Sequence, residues 1–380
     1  MISDKRIKEY RYLEQLDSYI SSAEKQYLYD DLNKEFIYPK QLEIHLPSDR
    51  QINCNLKCKH CFGTLYKKEL GKWEVEGLKL LHNLNGDIKY HIYGGSYTEP
   101  TMSPFLFPYL DTTKHYENWF GIHTNAVLLN ELQNNYNFFN NLHDISTDRK
   151  DYISISLDAG NSYSWKNLKK GKDSDFWNII KSIETMSNIR EKKSRDSHAI
   201  RIAYLVSESS CSIEEFEFVV SLAKMFKLDS VRFSVPYGYY NQDFEKVRKH
   251  KIIEDNLAIK VEEYTRHLIS KSEEDRPYVF WNPPYFTDVE RFNFDKCYYG
   301  SFQITLGADG FIYPCSAVAA PSAHHLRKGK IDSDLDVFRD QIYRIQKSEQ
   351  VNCKRDCFSK GLRGNRMALE INEQYNKIKE

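Results

Sequence analysis

Between residue 41 and about residue 240 the chain repeats one unit six times: a short apolar or alternating run, a polar loop, then an amphipathic stretch of helical period. The predicted strands are Gln41–Pro47, Ile88–Tyr93, Trp119–Thr124, Tyr152–Asp158, Ile200–Ser207 and Ser230–Val235. Helical spacing is clearest over Val75–Leu84, Phe176–Met186 and Ile213–Phe226. Strands alternating with helices predict an α/β fold with a parallel sheet and right-handed crossovers. Six units are fewer than an eight-stranded barrel needs, so the expected architecture is an open, six-stranded partial βα barrel. In such sheets ligands gather at the carboxyl ends of the strands.

The flanks read differently. Residues 1–40 are charged and tyrosine-rich, with Tyr10, Leu13, Leu16 and Ile20 at helical spacing, which predicts a helical extension. After the sixth strand comes a long charged helix, then the aromatic segment Pro277–Tyr285, where the prolines mark a loop. Gln303–Leu306 and Phe311–Tyr313 flank Asp309-Gly310, a hairpin turn signal. The expected division is therefore a helical extension over 1–40, a barrel over 41–272 and a small hairpin-plus-helix domain over 273–380.

Composition narrows the function classes. At 380 residues, 41% of them hydrophobic and 14% aromatic, the chain can bury a large core. Lys+Arg and Asp+Glu both number 54, a balance that argues against a strongly basic nucleic-acid surface. No apolar run approaches the roughly 18 residues of a membrane span. The amino terminus also lacks an apolar signal region, so the expected compartment is the cytoplasm. There, cysteines stay reduced and serve more often as metal ligands or catalysts than as disulfides.

The 8 cysteines divide into three groups. Cys54, Cys58 and Cys61 lie in C-N-L-K-C-K-H-C-F-G, directly after the first strand. Cys297, Cys315, Cys353 and Cys357 come late, and Cys211 stands alone. Three sulfurs leave a four-iron cubane with one iron open, whereas closed iron–sulfur and structural zinc sites take four ligands. A zinc loop is the alternative for the first group.

The C-x3-C-x2-C loop, with an aromatic ring at His60 before its last cysteine, resembles the signature of the radical S-adenosylmethionine (radical SAM) superfamily. The resemblance implies that Cys54, Cys58 and Cys61 hold a [4Fe-4S] cluster whose open iron binds SAM, with His60 beside it. Gly94-Gly95-Ser96-Tyr97-Thr98-Glu99-Pro100 is similar to the family's G-G-E-P segment, which holds the SAM amino group. Its glutamate is displaced by three residues, leaving Glu99, Ser96 and Thr98 as candidates. Asn125 ends the third strand's polar His123-Thr124-Asn125. Ser156 and Asp158 resemble the S-x-D element that faces the ribose and methionine of SAM, and a two-residue period places them on one face. Helix capping by Asp158 or Asn161 is the alternative. Lys169-Lys170-Gly171-Lys172 looks like the basic-glycine step that meets the SAM carboxylate, with Lys170 the candidate and Arg201 and Arg232 its rivals.

The late cysteines extend the resemblance. Cys297, twelve residues, Gly310, four residues and Cys315 are similar to the opening of the SPASM and Twitch auxiliary-cluster domains. Cys353 and Cys357 would close a second [4Fe-4S] cluster of the shorter Twitch type, with zinc the alternative. Cys211 lies between the fifth strand and its helix, near a helix amino terminus where a thiolate is favoured. It is a candidate catalytic hydrogen-atom donor or an ordinary loop residue. The implied activity is reductive cleavage of SAM to a 5′-deoxyadenosyl radical that abstracts hydrogen from substrate, with a flavodoxin or ferredoxin as reductant. The leading substrate class is a ribosomally made peptide, undergoing oxidation, cross-linking or epimerisation. The alternatives are a small-molecule dehydrogenase or epimerase of the amino sugar or cyclitol type, and a non-catalytic iron–sulfur or zinc protein.

Overall fold

The computed structural model describes residues 36–48, 54–59, 61, 71–95, 98–194, 196–234, 256–268, 278–282, 298–319 and 326–347. All six predicted strands form: β1 (Gln41–Ile44), β2 (Tyr90–Tyr93), β3 (Trp119–Thr124), β4 (Tyr152–Ser156), β5 (Ala199–Leu205) and β6 (Ser230–Ser234). They pair in parallel and in sequence order. The sheet continues past both ends of that run. β7 (Tyr278–Asn282) pairs in parallel with β6, so the middle of the segment read as a proline-marked loop is a strand. Its prolines lie outside the strand's limits, while Val279 and Phe280 suit a pleated surface. β8 (Gln303–Leu306) pairs in parallel with β1, then β9 (Phe311–Tyr313) and β10 (Gly329–Lys330) follow antiparallel. The ten strands among the described residues form a single sheet, so strands on either side of residue 272 share one hydrogen-bonded ladder.

Helices fill the crossovers: α1 (Glu74–Leu84), α2 (Leu106–His115), α3 (Leu129–Tyr136), α4 (Phe138–Ile145), α5 (Ser162–Lys169), α6 (Asp173–Lys193), α7 (Ile213–Met225) and α8 (256–268); α9 (Leu335–Lys347) follows β10. With sequential strands and right-handed crossovers, the connecting helices fall on one face of the sheet. The burial pattern agrees. Leu42, Ile44, Phe120, Ile122, Ile153, Ile155, Ile200, Ile202, Val231 and Phe233 join helix residues such as Leu80, Leu110, Phe138, Trp165, Phe176 and Phe216 in one continuous core. The alternate strand positions turn to the other face, which mixes polar residues such as Glu43, Ser154, Arg201 and Arg232 with apolar ones such as Ile92 and Leu205.

The predicted hairpin turn is present, with Gly310 at φ +83°. Asp309 accepts hydrogen bonds from Tyr313 Oη at 2.6 Å and Arg327 Nε at 3.1 Å. No described helix is long and apolar enough to cross a membrane. The helical extension expected over 1–40 lies almost wholly outside the described residues; 36–39 have no regular secondary structure.

Candidate active site

The cysteine loop lies across the carboxyl ends of the strands, tied down by groups that follow β3 and β4. Asn125, just beyond β3, donates through Nδ2 to Cys54 Sγ at 3.4 Å and to Asn55 Oδ1 at 2.8 Å. The last turn of α5 accepts the loop's backbone: Lys59 N–H donates to Leu168 O at 2.9 Å and Lys57 N–H to Lys169 O at 3.3 Å. Helix carboxyl ends carry unpaired carbonyls, so this contact satisfies both partners. Within the loop, Cys61 N–H donates to Cys58 O at 3.1 Å.

The three thiols are half-buried and mutually coupled. Burial pushes Cys54 up to about 12, reinforced by the Glu99 carboxylate and by Cys58 and Cys61. Burial also raises Cys58 to about 11, against the opposing charge of Lys169. Uptake of a metal by such thiols therefore releases protons. Among the described residues, no three of His, Cys, Asp and Glu converge on a single metal-ion position. A cubane gives each sulfur its own iron, so it asks for neighbouring thiols with donors around them rather than a point of convergence. Three coupled thiols on one loop, an amide N–H on Cys54 and a buried cation beside Cys58 fit that group.

Gly94 and Gly95 follow β2 where backbones crowd. Gly94 sits at φ +132°, and a Cβ there would meet the His123 carbonyl oxygen at 2.6 Å. A Cβ on Gly95 would strike the buried His45 ring at 2.4 Å. Glu99 is buried and ringed by donors: Oε1 accepts from Thr101 Oγ1 and Thr124 Oγ1, each at 2.6 Å, and Oε2 from Asn125 N–H at 2.7 Å. Burial holds its carboxyl above the usual range, and those donors offset the rise only in part.

Two predicted residues are placed differently from the expectation. Ser156 and Asp158 do not share a strand face, because β4 stops at Ser156 and Asp158 takes φ +60°. Asp158 accepts Leu205 N–H at 2.6 Å and forms an ion pair with Lys169. Ser156 stays half-buried at the strand end. Lys170 is exposed, the left-handed residue that ends α5, with its N–H bonded to Lys166 O. Lys169 instead turns inward on the stripe it shares with Trp165, one helical turn back, and is 3% exposed. Of the two capping alternatives, Asn161 is the one that caps α5, accepting Ser164 N–H at 2.9 Å.

Sequence reasoning missed Glu215. It lies in the first turn of α7, and its carboxylate accepts from Gly160 N–H at 2.6 Å, Ser164 Oγ at 2.6 Å, Tyr204 Oη at 2.9 Å and Asn161 Nδ2 at 3.0 Å. It thereby fixes the turn that carries Asp158. The only sequence signal is a capping serine, Ser212, three residues before it. Cys211 precedes that cap, half-buried against the core. Burial raises its thiol above the ordinary value, with Lys260 opposing, so the expected thiolate-favouring environment is reversed. Cys315 is half-buried after β9, while His60, Cys297, Cys353 and Cys357 lie outside the described residues.

The fold is similar to that of Streptococcus suis SuiB bound to S-adenosylmethionine, with a TM-score of 0.57 and 19% identity over 86% of this chain and 72% of SuiB. SuiB bound to the precursor peptide SuiA aligns at a TM-score of 0.58 and 17% identity, over 93% of this chain and 75% of SuiB. At these identities the likeness is one of fold. No protein-family model and no curated protein matches the sequence.

Proposed function

We propose that this chain is a radical SAM enzyme that modifies a ribosomally made peptide. The observation that carries the reading is the cysteine loop itself: three thiols held over the strand ends by Asn125 and by the carboxyl end of α5. It stands on a fold like that of a protein solved both with SAM and with a precursor peptide. Cys54, Cys58 and Cys61 would hold a [4Fe-4S] cluster, and Cys297, Cys315, Cys353 and Cys357 a second. The first cluster, when bound, supplies the electron that cleaves SAM to methionine and a 5′-deoxyadenosyl radical, which takes a hydrogen atom from substrate.

The protein's own residues bind and orient. Gly94 and Gly95 let backbone approach the cofactor without a side chain in the way. Glu99 Oε2 accepts from Asn125 N–H and retains capacity for the SAM ammonium. Lys169, rather than Lys170, supplies the buried positive charge at the end of β4 for the SAM carboxylate. Asn125 orients Cys54 and donates to its sulfur. If the product is an inverted stereocentre, Cys211 is the candidate hydrogen-atom donor, because burial keeps its thiol protonated.

The test is anaerobic turnover with SAM, dithionite and the peptides encoded beside the gene, read by mass spectrometry. A mass change in one peptide, coupled to 5′-deoxyadenosine, is the expected result. SAM cleavage coupled to an amino sugar or cyclitol, and to no peptide, would overturn the peptide assignment in favour of a small-molecule substrate.

A further inference from the structure

The exposed side of the cysteine loop is lined with lysines. Cys58 stands between Lys57 and Lys59, both exposed. The backbone N–H groups of these two lysines bond to the last carbonyls of α5, at Lys169 and Leu168, which sets the loop's surface against that of the helix. On α5, Tyr163, Lys166 and Lys170 follow a spacing of three and four residues, share one stripe and are all exposed, while Trp165 and Lys169 turn inward. Lys172, in the turn that leads into α6, is exposed as well.

Two carboxylates accompany these five lysines. Asp173 pairs with Lys166 at 2.9 Å, and Asp175 accepts Lys172 N–H at 2.8 Å. Lys57, Lys170 and Lys172 form no ion pair among the described residues. Several exposed cations elsewhere each have a carboxylate: Lys79 has Glu76, Lys193 has Asp144, Lys227 has Glu191 and Arg266 has Glu262. The surface beside Cys58 thus carries an uncompensated positive charge, on a chain whose Lys+Arg and Asp+Glu both number 54.

The chemistry of the face narrows its partner. It borders Cys58, so a protein seated there lies one residue of backbone from a thiol of the cluster loop. None of its cations is an arginine. Lysine is a hydrated point charge, which steers an approach without the bidentate grip that a guanidinium takes on phosphate or carboxylate. That suits a brief encounter, and electron-transfer encounters bury less than about 1,200 Å². Tyr163, 75% exposed, adds an aromatic contact of the kind interfaces favour.

We propose that this face docks an acidic one-electron carrier protein, which reduces the cluster held by Cys54, Cys58 and Cys61. This deepens the enzyme reading above and rests on it. One electron leaves the reduced carrier and enters the cluster; no bond forms or breaks, and no proton is needed. The lysines act on the encounter, so neutralising them slows association and flattens its salt dependence.

The test measures association of the full-length, reconstituted protein with an acidic flavodoxin and with an acidic two-iron ferredoxin, by surface plasmon resonance without oxygen. At least one carrier should bind, with an association rate that falls about tenfold or more between 0.05 M and 0.5 M salt. Lys57→Gln/Lys170→Gln/Lys172→Gln should slow association about tenfold at the lower salt. The control is Lys89→Gln/Lys192→Gln/Lys224→Gln, just before β2 and in the last turns of α6 and α7, at the opposite end of the strands. It removes as many charges and should stay within about twofold of the wild type. Folding is checked by circular dichroism, and if the first triple variant does not fold, Lys57→Gln/Lys172→Gln takes its place. Binding of neither carrier, an unchanged rate in the folded face variant, or equal losses in the two triple variants would overturn the proposal. So would tighter binding of polyglutamate or single-stranded RNA at this face, which would assign it to an acidic peptide or to nucleic acid. A wild type that binds a carrier but cleaves no SAM with dithionite would sink the enzyme reading instead, and carrier binding to the same preparation is scored independently of it.

Discussion

Asp158 and Lys169 form a buried ion pair at the junction of three segments, and breaking it from either side should be costly. Their side chains are 3% and 4% exposed. Asp158 also holds Leu205 N–H, and the Lys169 carbonyl receives the cysteine loop. Removing one charge strands the other in a desolvated site, a loss of about 3–5 kcal/mol. At 1.4 kcal/mol per tenfold, about 4 kcal/mol moves the folding equilibrium roughly a thousandfold. Asp158→Asn is the suitable probe on one side because asparagine tolerates a left-handed backbone. Lys169→Met keeps the length of the side chain on the other. The double variant strands no charge and should lose no more than either single variant, so the coupling should be at least about 3 kcal/mol. The assay is urea unfolding of the apo chain for all four proteins, in 0.1 M and 1 M salt; the coupling should hold in both, since a buried pair is screened far less than a surface one. Single variants that each lose under about 1 kcal/mol, or losses that simply add, would refute the reasoning.

Glu215→Gln should destabilise the chain by about 2–4 kcal/mol in the same assay, because an amide NH2 would face donors where the carboxylate now accepts four hydrogen bonds. A loss under about 0.5 kcal/mol would mean those bonds are dispensable. Burial pulls His91 and His198 down to about 3 from 6.5, so each is neutral in the fold and charges first in the unfolded chain. Their contribution is fully present above pH 6.5 and is lost as pH falls towards 3; unfolding titrations between pH 6.5 and 5 should show a slope approaching two protons, and His91→Gln/His198→Gln a flatter one. Reconstitution should load about eight irons per chain in two four-iron cores, and Cys54→Ala/Cys58→Ala/Cys61→Ala about four. Zinc in the late site, by metal analysis, would contradict the second core.

The parallel core of the fold was legible because a strand buried on one face and a helix with one apolar stripe leave distinct periods; all six strands were found, with Trp119–Thr124 exact at both ends. β7 was hidden by its flanking prolines, which also punctuate loops. β8 read as half of a local hairpin, because no local pattern shows that its other edge pairs with β1, some 260 residues earlier. At the site, the cysteine loop and the Gly94-Gly95 turn were readable as motifs. The Asp158–Lys169 pair was not. Counting by twos assumed an extended chain through Asp158, but the chain turns left-handed there, and the end of α5 decides which of two adjacent lysines faces inward. Glu215 escaped because its partners come from four positions spread over Gly160 to Tyr204, joined only by the fold.

Reductive cleavage of SAM tests the central claim most directly. The full-length protein, reconstituted anaerobically with iron and sulfide and reduced with dithionite, is incubated with SAM, and 5′-deoxyadenosine and methionine are quantified by chromatography. The account predicts both products in equal amounts from the wild type, and neither from Cys54→Ala/Cys58→Ala/Cys61→Ala with its fold intact. An iron-loaded wild type that yields no 5′-deoxyadenosine, or a triple variant that yields as much, would contradict it.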